Sequence, residues 1–371
     1  MRLGLKHRTK MPYTFSSFSM SSLPLDQLLP QMILIPSVST DIKACKEILL
    51  FCEQYLSDLP VEFHRYERNG HHSMVVSYKE KLTPKIMFIA HLDVVPAPPQ
   101  AFVPRMKDGK LFGRGVYDMK GPAAVALNAF RAHVESGSAT SLGIMLTTDE
   151  EIGGKDGVKY LLDNEGFRPE CAILPDGGGN FSVVKLQYGI LRLDILRRGK
   201  AAHSSRPEDG DNAIHSFIKD FDIFKNEIAK IPETIMSIVD IRAGIALNVT
   251  PDLCDAKIDI RTAHHEKVKA VAAQCFRQGE YEYIDEEPVF RTDPTHPLIA
   301  AYIAASEAEL GKPVNLTVER GASDGRFLTP HNIPGIVTIC LGGGHHQDTE
   351  WIDLESMKVL QRIFERYLKS L

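Results

Sequence analysis

The chain has 371 residues, of which 43% are hydrophobic and 25% are charged, and its formal net charge is −5. These proportions are those of an ordinary globular protein, and the negative charge argues against nucleic acid as a partner. No apolar run approaches the roughly 18 residues of a membrane span, so we expect no membrane partner either. Because the length exceeds what one hydrophobic core fills, we expect two domains or one domain with a large insertion.

Residues 1–24 differ from the rest of the chain in composition. They contain several basic residues and serines but no acidic residue. The segment lacks the continuous apolar core of a secretory signal. We expect a disordered N-terminal extension over residues 1–24; an amphipathic organelle-targeting segment is the alternative.

The six cysteines are scattered along the chain and form no CxxC pair. Cys45 and Cys52 would share a helix face about two turns apart, which is too far for a disulfide. We therefore expect free thiols in a reducing compartment, the cytoplasm.

In the first half of the chain, predicted strands alternate with predicted helices. These elements are helices at Leu25–Leu34 and Asp41–Leu56, strands at Val61–Tyr66, Ser73–Tyr78 and Lys85–Ala90, a helix at Pro122–Val134, a strand at Leu142–Thr147, a helix at Lys155–Asn164 and a strand at Cys171–Leu174. Short, continuous apolar runs such as 85–90 are typical of buried strands. The alternation predicts a layered α/β domain with a mostly parallel sheet.

After Asp176 the order of elements changes to β-α-β-β-α-β, which is the ferredoxin-like pattern. It comprises strands at Val183–Arg198, Thr234–Leu247, Leu253–Arg261 and Glu280–Asp285, with helices at Ala213–Ala229 and His265–Arg277. The α/β pattern then returns with helices at Pro297–Leu310 and Asp353–Leu368 and a strand at Gly335–Cys340. We interpret residues 25–182 and 289–371 as one α/β domain, interrupted by a small domain at residues 183–288.

Clusters of polar residues follow the apolar strands. The candidate metal-binding side chains are those of His91, Asp118, Glu151, Asp176 and His346. Imidazole and carboxylate groups are zinc ligands, and two adjacent zinc ions are commonly joined by a bridging carboxylate and a bridging water. Because these residues follow predicted strands, they are candidates for one site that holds two zinc ions.

The motifs, in chain order, resemble those of the zinc-dependent aminoacylase/carboxypeptidase family. They are HLDVVP, GRGVYDMKG, DEE, PD, AHSSRPEDGDNAI, NVTP, GASDGRF and the spacing His-x-x-x-Glu. That family includes acetylornithine deacetylase, succinyl-diaminopimelate desuccinylase, glutamate carboxypeptidase and several di- and tripeptidases. The resemblance runs from about Ile35 to the C terminus. It implies a zinc-exopeptidase-like α/β/α catalytic domain and an inserted lid domain that also dimerises.

The resemblance also implies roles for the first motifs. Asp118 would bridge the two metal ions, and the peptide bond after it is commonly cis in the family. Asp93, two residues after His91, would lie on the same side of the extended chain and could hold the second ring N–H of the imidazole. Asp93 is therefore expected to orient the ligand.

Adjacent side chains in an extended segment point to opposite sides, so one of Glu150 and Glu151 can face the reacting water while the other binds metal. The resemblance assigns Glu150 as the general acid/base and Glu151 as the ligand. The family's His-x-x-x-Glu spacing matches His346 and Glu350. We therefore expect His346 to be the ligand, with His345 as the alternative.

The remaining motifs imply residues that contact the substrate. His203 matches the lid histidine that commonly reaches a neighbouring subunit's active site and stabilises the oxyanion, which would require a homodimer. Asn248 and Arg261 match positions that bind a substrate carboxylate, and Arg326 is a second candidate.

The resemblance thus predicts a metallohydrolase that cleaves an amide bond in a small, carboxylate-bearing substrate, such as an N-acyl amino acid. Its cofactors would be two zinc ions, which cobalt or manganese could replace. A di- or tripeptidase of the same family is one alternative. A catalytically silent binding protein is the alternative from another class.

Overall fold

The computed structural model of the protein describes residues 22–277 and 280–371. The extension expected at residues 1–24 therefore lies outside the described residues, apart from residues 22–24. Among the helices described, none combines the length and the apolar character needed to cross a membrane.

The described residues form eight α-helices and seventeen strands. The helices are α1 (Leu25–Ile33), α2 (Ile42–Leu56), α3 (Lys120–Glu135), α4 (Val158–Asp163), α5 (Ala213–Ile228), α6 (His265–Cys275), α7 (Pro297–Leu310) and α8 (Leu354–Lys369). The strands are β1 (Glu62–Arg68), β2 (His71–Tyr78), β3 (Ile86–His91), β4 (Arg105–Lys107), β5 (Lys110–Phe112), β6 (Leu142–Thr147), β7 (Cys171–Leu174), β8 (Val183–Gln187), β9 (Gly189–Arg198), β10 (Thr234–Ala243), β11 (Leu253–Thr262), β12 (Tyr281–Glu287), β13 (Phe290–Arg291), β14 (Leu316–Glu319), β15 (Gly335–Val337), β16 (Gly342–Gly343) and β17 (Trp351–Asp353).

The central sheet has the strand order β1-β2-β6-β3-β7-β15. Strands β6, β3, β7 and β15 run parallel, and β1 and β2 add an antiparallel edge. Ile86 and Phe88 face a core with helices α1, α2, α3, α7 and α8, whereas Met87 and Ile89 face a second core with α4. The sheet is covered on both faces, as the apolar strand sequences predict, and the α/β/α architecture is confirmed.

The inserted domain is an antiparallel sheet with the order β10-β11-β9-β12, and α5 and α6 pack on one face. Alternate strand residues such as Ile258 and Ile260 are buried against Phe217 and Phe224 of α5. The opposite face of the sheet carries charged side chains. This is the ferredoxin-like arrangement, as the order of elements predicts, and we call it the lid.

The segment Val183–Arg198, expected to be one strand, is two strands in two different sheets. Residues 183–187 form β8, which pairs with β13 and β14. The chain then passes Tyr188 and continues as β9 in the lid sheet. The lid sheet accordingly begins at Gly189 rather than at residue 183, because the first five residues are hydrogen-bonded to strands that follow the lid in sequence.

Candidate active site

The candidate ligands are brought together at one edge of the central sheet. His91 is the last residue of β3, and Glu151 and Asp176 follow β6 and β7, respectively. Because these strands are parallel, their carboxyl ends lie side by side. Asp118 reaches the same edge from the glycine-rich loop before α3, and His346 from the loop after β16.

Asp118 lies between two groups of potential metal ligands. His91, Asp118 and Asp176 form one group, and Asp118, Glu151 and His346 form the other, with ligand atoms within 4.8 Å of one another in each group. The Oδ1 atom of Asp118 lies 3.1 Å from Nε2 of His91, whereas Oδ2 lies 3.2 Å from Nε2 of His346. The two carboxylate oxygens therefore face different donor groups.

Several acidic side chains are buried close together at this site, and this changes their pKa values. Burial raises the pKa of Glu151 to about 7, and burial with the nearby Asp118 carboxylate raises that of Asp176 well above its usual range. The buried Oε1 atom of Glu151 has no hydrogen-bond partner. A bound cation would compensate this excess of negative charge, and a donor set of imidazoles and carboxylates fits zinc.

Asp93 is completely buried and connects the first ligand to the turn that carries the two glutamates. The backbone carbonyl of Asp93 is the hydrogen-bond partner of Nδ1 of His91 at 3.1 Å, and the side-chain Oδ1 lies slightly further away at 3.4 Å. The carboxylate accepts the backbone N–H groups of Glu150 and Glu151 at 3.3 and 3.2 Å. The Ser39 hydroxyl, which sequence analysis did not single out, donates to the same carboxylate at 2.7 Å. Asp93 thus orients both the imidazole and the turn.

Glu350 performs a similar function for the loop that carries Asp118. Its buried carboxylate accepts the backbone N–H groups of Gly115 and Asp118 at 3.0 and 3.1 Å and pairs with Arg114 at 2.9 Å. The Asp118–Met119 peptide bond is cis, as the resemblance implies. In the sequence, Glu350 was used only through the His-x-x-x-Glu spacing that favoured His346 over His345. Its hydrogen bonds show that it positions the Asp118 loop.

The two adjacent histidines have different surroundings. The imidazole of His346 lies 3.0 Å from Oε2 of Glu151, and its backbone φ is 62°. The hydrogen bond to Asp118 raises the pKa of His346 to about 9. The ring of His345 lies instead against Tyr117, with 6.2 Å between the ring centroids.

A cleft of about 780 Å³ opens onto four of the candidate ligands, Asp118, Glu151, Asp176 and His346. Its lining includes both glutamates of the turn, the glycines of residues 177–179, and a wall formed by Gln187 and residues 318–323. Arg320 in this wall is an exposed guanidinium that sequence analysis did not single out. Glu319 is held by Gly178 N–H and by the side-chain amide of Gln187 at 2.6 and 3.0 Å.

Glu150 lines the cleft next to the ligands, and burial raises the pKa of its carboxyl. Behind it lies Arg326, with Nη1 at 3.7 Å from Oε1 of Glu150. Arg326 is only 4% exposed and is not among the residues that line the cleft. The guanidinium expected to bind substrate therefore contacts the candidate base.

The three lid residues implied by the resemblance lie away from this cleft in the same chain. None of His203, Asn248 and Arg261 is among its described lining residues. The loops of His203 and Asn248 are joined by the hydrogen bond from Ser204 N–H to the carbonyl of Asn248 at 2.9 Å, and both side chains are exposed. Arg261 is half-buried and pairs with Asp259 at 2.7 Å.

Known proteins resemble this chain in sequence and in fold. Residues 87–370 match the family described as Peptidase family M20/M25/M40. Succinyl-diaminopimelate desuccinylase of Methylococcus capsulatus is 30% identical over 324 residues, which cover 78% of this chain and 84% of that protein. In fold, the chain is similar to aminopeptidase PepT from Bacillus cereus (TM-score 0.78, 21% identity, 93% and 97% of the two chains). It is also similar to a dinuclear metal-binding peptidase of Bacillus subtilis (TM-score 0.67, 16% identity, 93% and 96%).

The family match covers more than half of the chain, and its residues include every metal-ligand candidate described above. The desuccinylase aligns over most of its own length, so the likeness is not limited to one motif. The protein is therefore a member of Peptidase family M20/M25/M40, whose members cleave amide and peptide bonds.

Proposed function

We propose that the protein is a hydrolase that uses two zinc ions to cleave an amide bond in a small substrate with a free carboxylate. It would be a deacylase of N-acyl amino acids or a carboxypeptidase. The observation that carries this proposal is the position of Asp118, whose two oxygens face two different groups of imidazole and carboxylate donors. His91 and Asp176 would hold one ion, Glu151 and His346 the other, and Asp118 would bridge them.

Bound zinc would acidify the attacking water and polarise the amide carbonyl. Glu150 then takes the proton from the water as it attacks and returns it to the nitrogen of the leaving amine. Burial raises the pKa of Glu150, which is the direction that favours a carboxyl group exchanging protons near neutral pH. Asp93 acts through its neighbours by holding the His91 ring and the turn of Glu150 in place.

We assign recognition of the substrate carboxylate to Asn248 and Arg261. Arg326, the second candidate from the sequence, is buried behind Glu150 and outside the cleft lining, so it is not assigned this role. A carboxylate-bearing substrate is further supported by Arg320, because it places a solvent-accessible guanidinium in the wall of the cleft. A guanidinium binds a carboxylate through two parallel hydrogen bonds.

His203 would stabilise the oxyanion from a second copy of the chain, which makes a homodimer through the lid part of the proposal. This is supported by the exposure of His203 and its absence from the cleft lining of its own chain. It is also supported by β10, which is an edge strand of the lid sheet and carries the exposed apolar side chains of Val239 and Ile241.

The six cysteines are all free in the structure, and five are buried. Unpaired thiols support our assignment of the protein to a reducing compartment, the cytoplasm.

A di- or tripeptidase is the alternative, and the fold likeness to aminopeptidase PepT is the observation that favours it. A panel of N-succinyl and N-acetyl amino acids, dipeptides and N-blocked dipeptides, assayed after reconstitution with zinc, cobalt or manganese, separates the two. A deacylase should cleave the acyl amino acids, whereas an aminopeptidase should require a free α-amino group. Metal-loaded protein that cleaves none of these amides would favour a silent binding protein.

A further inference from the structure

Arg326 lies in the junction between the catalytic domain and the lid. Its guanidinium donates a hydrogen bond from Nη2 to the carbonyl of Gly153 at 2.8 Å. It also lies at ion-pair distance from two carboxylates, with Nη1 3.7 Å from Glu150 Oε1 and Nε 3.5 Å from Glu287 Oε2. The side chains of Arg326 and Glu287 are 5% and 6% exposed. Glu287 ends β12, the last strand of the lid. One buried cation therefore joins the catalytic base to the point at which the chain leaves the lid.

Glu287 makes a second ion pair, and from there acidic and basic side chains alternate along a row. Its other oxygen, Oε1, lies 2.9 Å from Nζ of Lys155, which follows the turn of Glu150 in the catalytic domain. Lys155 also pairs with Asp285 of β12 at 3.1 Å. Glu287 and Asp285 of the lid's last strand thus pair with cations of the catalytic domain. These cations are Arg326 and Lys155, and both belong to segments that lie next to Glu150.

Within the lid, the same row of charges crosses the open face of the sheet. Asp285 pairs with Arg192 at 2.6 Å, and Arg192 pairs with Asp259 at 3.0 Å. These residues lie directly opposite one another on β12, β9 and β11, so the row follows the strand register. The row ends with the ion pair between Asp259 and Arg261, and Arg261 is proposed to bind the substrate carboxylate.

We propose that Arg326 is a positioning residue for Glu150, and that Glu287, itself paired with Lys155, holds Arg326 from the lid side, so that the position of the base depends on the lid. This inference rests on the proposed role of Glu150 as base. Because Arg326 is buried behind Glu150 and outside the cleft lining, it acts through the base rather than by touching substrate.

The consequence is mechanical. A base must be held within a fraction of an ångström of the water it deprotonates, and misplacement by about 1 Å can cost about 10²-fold in rate. The lid carries the residues proposed to bind the substrate. A charged connection from the lid sheet to Glu150 would therefore align the base when the lid takes up the orientation seen here.

The experiment compares Arg326→Met, Glu287→Gln, their double variant and Arg326→Lys in the full-length, zinc-loaded enzyme. Zinc content, thermal unfolding, kcat and KM are measured on whichever amide substrate the wild type cleaves. Lys155→Met provides a variant at an exposed position, should Arg326→Met not fold. Asp194→Asn is the matched control, because Asp194 pairs with Lys257 at 2.7 Å on the same face of the lid sheet but outside this row.

We expect Arg326→Met and Glu287→Gln to lower kcat by about 10- to 100-fold with KM within about threefold and zinc content unchanged. The double variant should be no worse than the more damaged single variant, since both changes break one connection. Arg326→Lys should recover part of kcat, Lys155→Met should lower kcat in the same direction, and the control should match the wild type.

A rise in KM with unchanged kcat would overturn the proposal in favour of Arg326 as a substrate ligand. A lower unfolding temperature with wild-type kcat would overturn it in favour of a purely structural ion pair. These outcomes differ from failure of the proposed function, in which the wild type itself cleaves no amide or Glu150→Gln remains active.

Discussion

The carboxylate of Glu350 lies 3.1 Å from the backbone nitrogen of Asp118, although 232 residues separate the two in sequence. The same carboxylate binds the N–H of Gly115 and the guanidinium of Arg114, so the loop of the proposed bridging aspartate is held by an acid from the C-terminal part of the chain. The carboxylate that joins the two proposed metal ions therefore depends on a residue that binds neither of them.

Glu350→Gln should weaken zinc binding by about 10- to 100-fold, because one charged acceptor for the Asp118 loop is lost. Competition with a chromogenic chelator measures this affinity. Asp348→Asn, at an exposed position in the same loop, is the control and should bind zinc as the wild type does. Unchanged zinc affinity in Glu350→Gln would show that the loop is held without Glu350.

Arg320→Met should raise KM by about 10- to 100-fold with little change in kcat, because one charge-assisted hydrogen bond to the substrate carboxylate is lost. The measurement is steady-state kinetics with a carboxylate substrate and with its methyl ester. The KM of the methyl ester should not change with the substitution. Arg105→Met removes an exposed arginine of β4 as control. An equal effect on acid and ester would exclude a carboxylate contact.

Zinc binding to the metal-free protein should strengthen as the pH rises from about 6 to about 9. The pKa of Glu151 is raised to about 7 by burial and that of His346 to about 9 by Asp118, so both groups keep their protons to a higher pH than usual. Zinc must displace these protons, hence its apparent affinity falls as the pH falls. Calorimetric titrations in buffers of different ionisation enthalpy count the protons released.

In the same titrations, His346→Gln should remove the part of the pH dependence near 9, whereas His345→Gln should leave it. The reverse result would make His345 the ligand.

Ile241→Glu should convert the proposed homodimer into monomers, because it places a charge on the exposed apolar edge of the lid sheet. Light scattering over a concentration series measures the mass. Loss of the dimer should also lower activity if His203 acts on the neighbouring subunit. Leu50→Glu, at an exposed position on α2, is the control. A wild type that stays monomeric at all concentrations would contradict this part of the proposal.

The architecture, and the meeting of His91, Glu151 and Asp176 at one sheet edge, were accessible from the sequence for identifiable reasons. Continuous apolar runs such as Leu142–Thr147 indicated buried strands, and the polar residues directly after them had to meet at one sheet edge. The lid followed from the change to β-α-β-β-α-β order after Asp176. These patterns depend on local periodicity, which a single chain displays directly.

What could not be predicted depends on contacts between distant segments. Val183–Arg198 has a strand pattern throughout, and nothing local marks the change of sheet at Tyr188, because the partner strand β14 lies more than a hundred residues further on. Likewise, the GASDGRF motif identified Arg326 but not its burial against Glu150 and Glu287. An arginine is expected at the surface unless its partners are known.

The number of zinc ions bound by the wild type and by Glu150→Gln, measured together with turnover, tests the proposed centre most directly. We predict two zinc ions per chain in both proteins, with amide hydrolysis abolished only in the variant, since Glu150 moves the proton but does not hold metal. One zinc ion or fewer in the saturated wild type, or near wild-type turnover in Glu150→Gln, would contradict a two-zinc centre with Glu150 as its base.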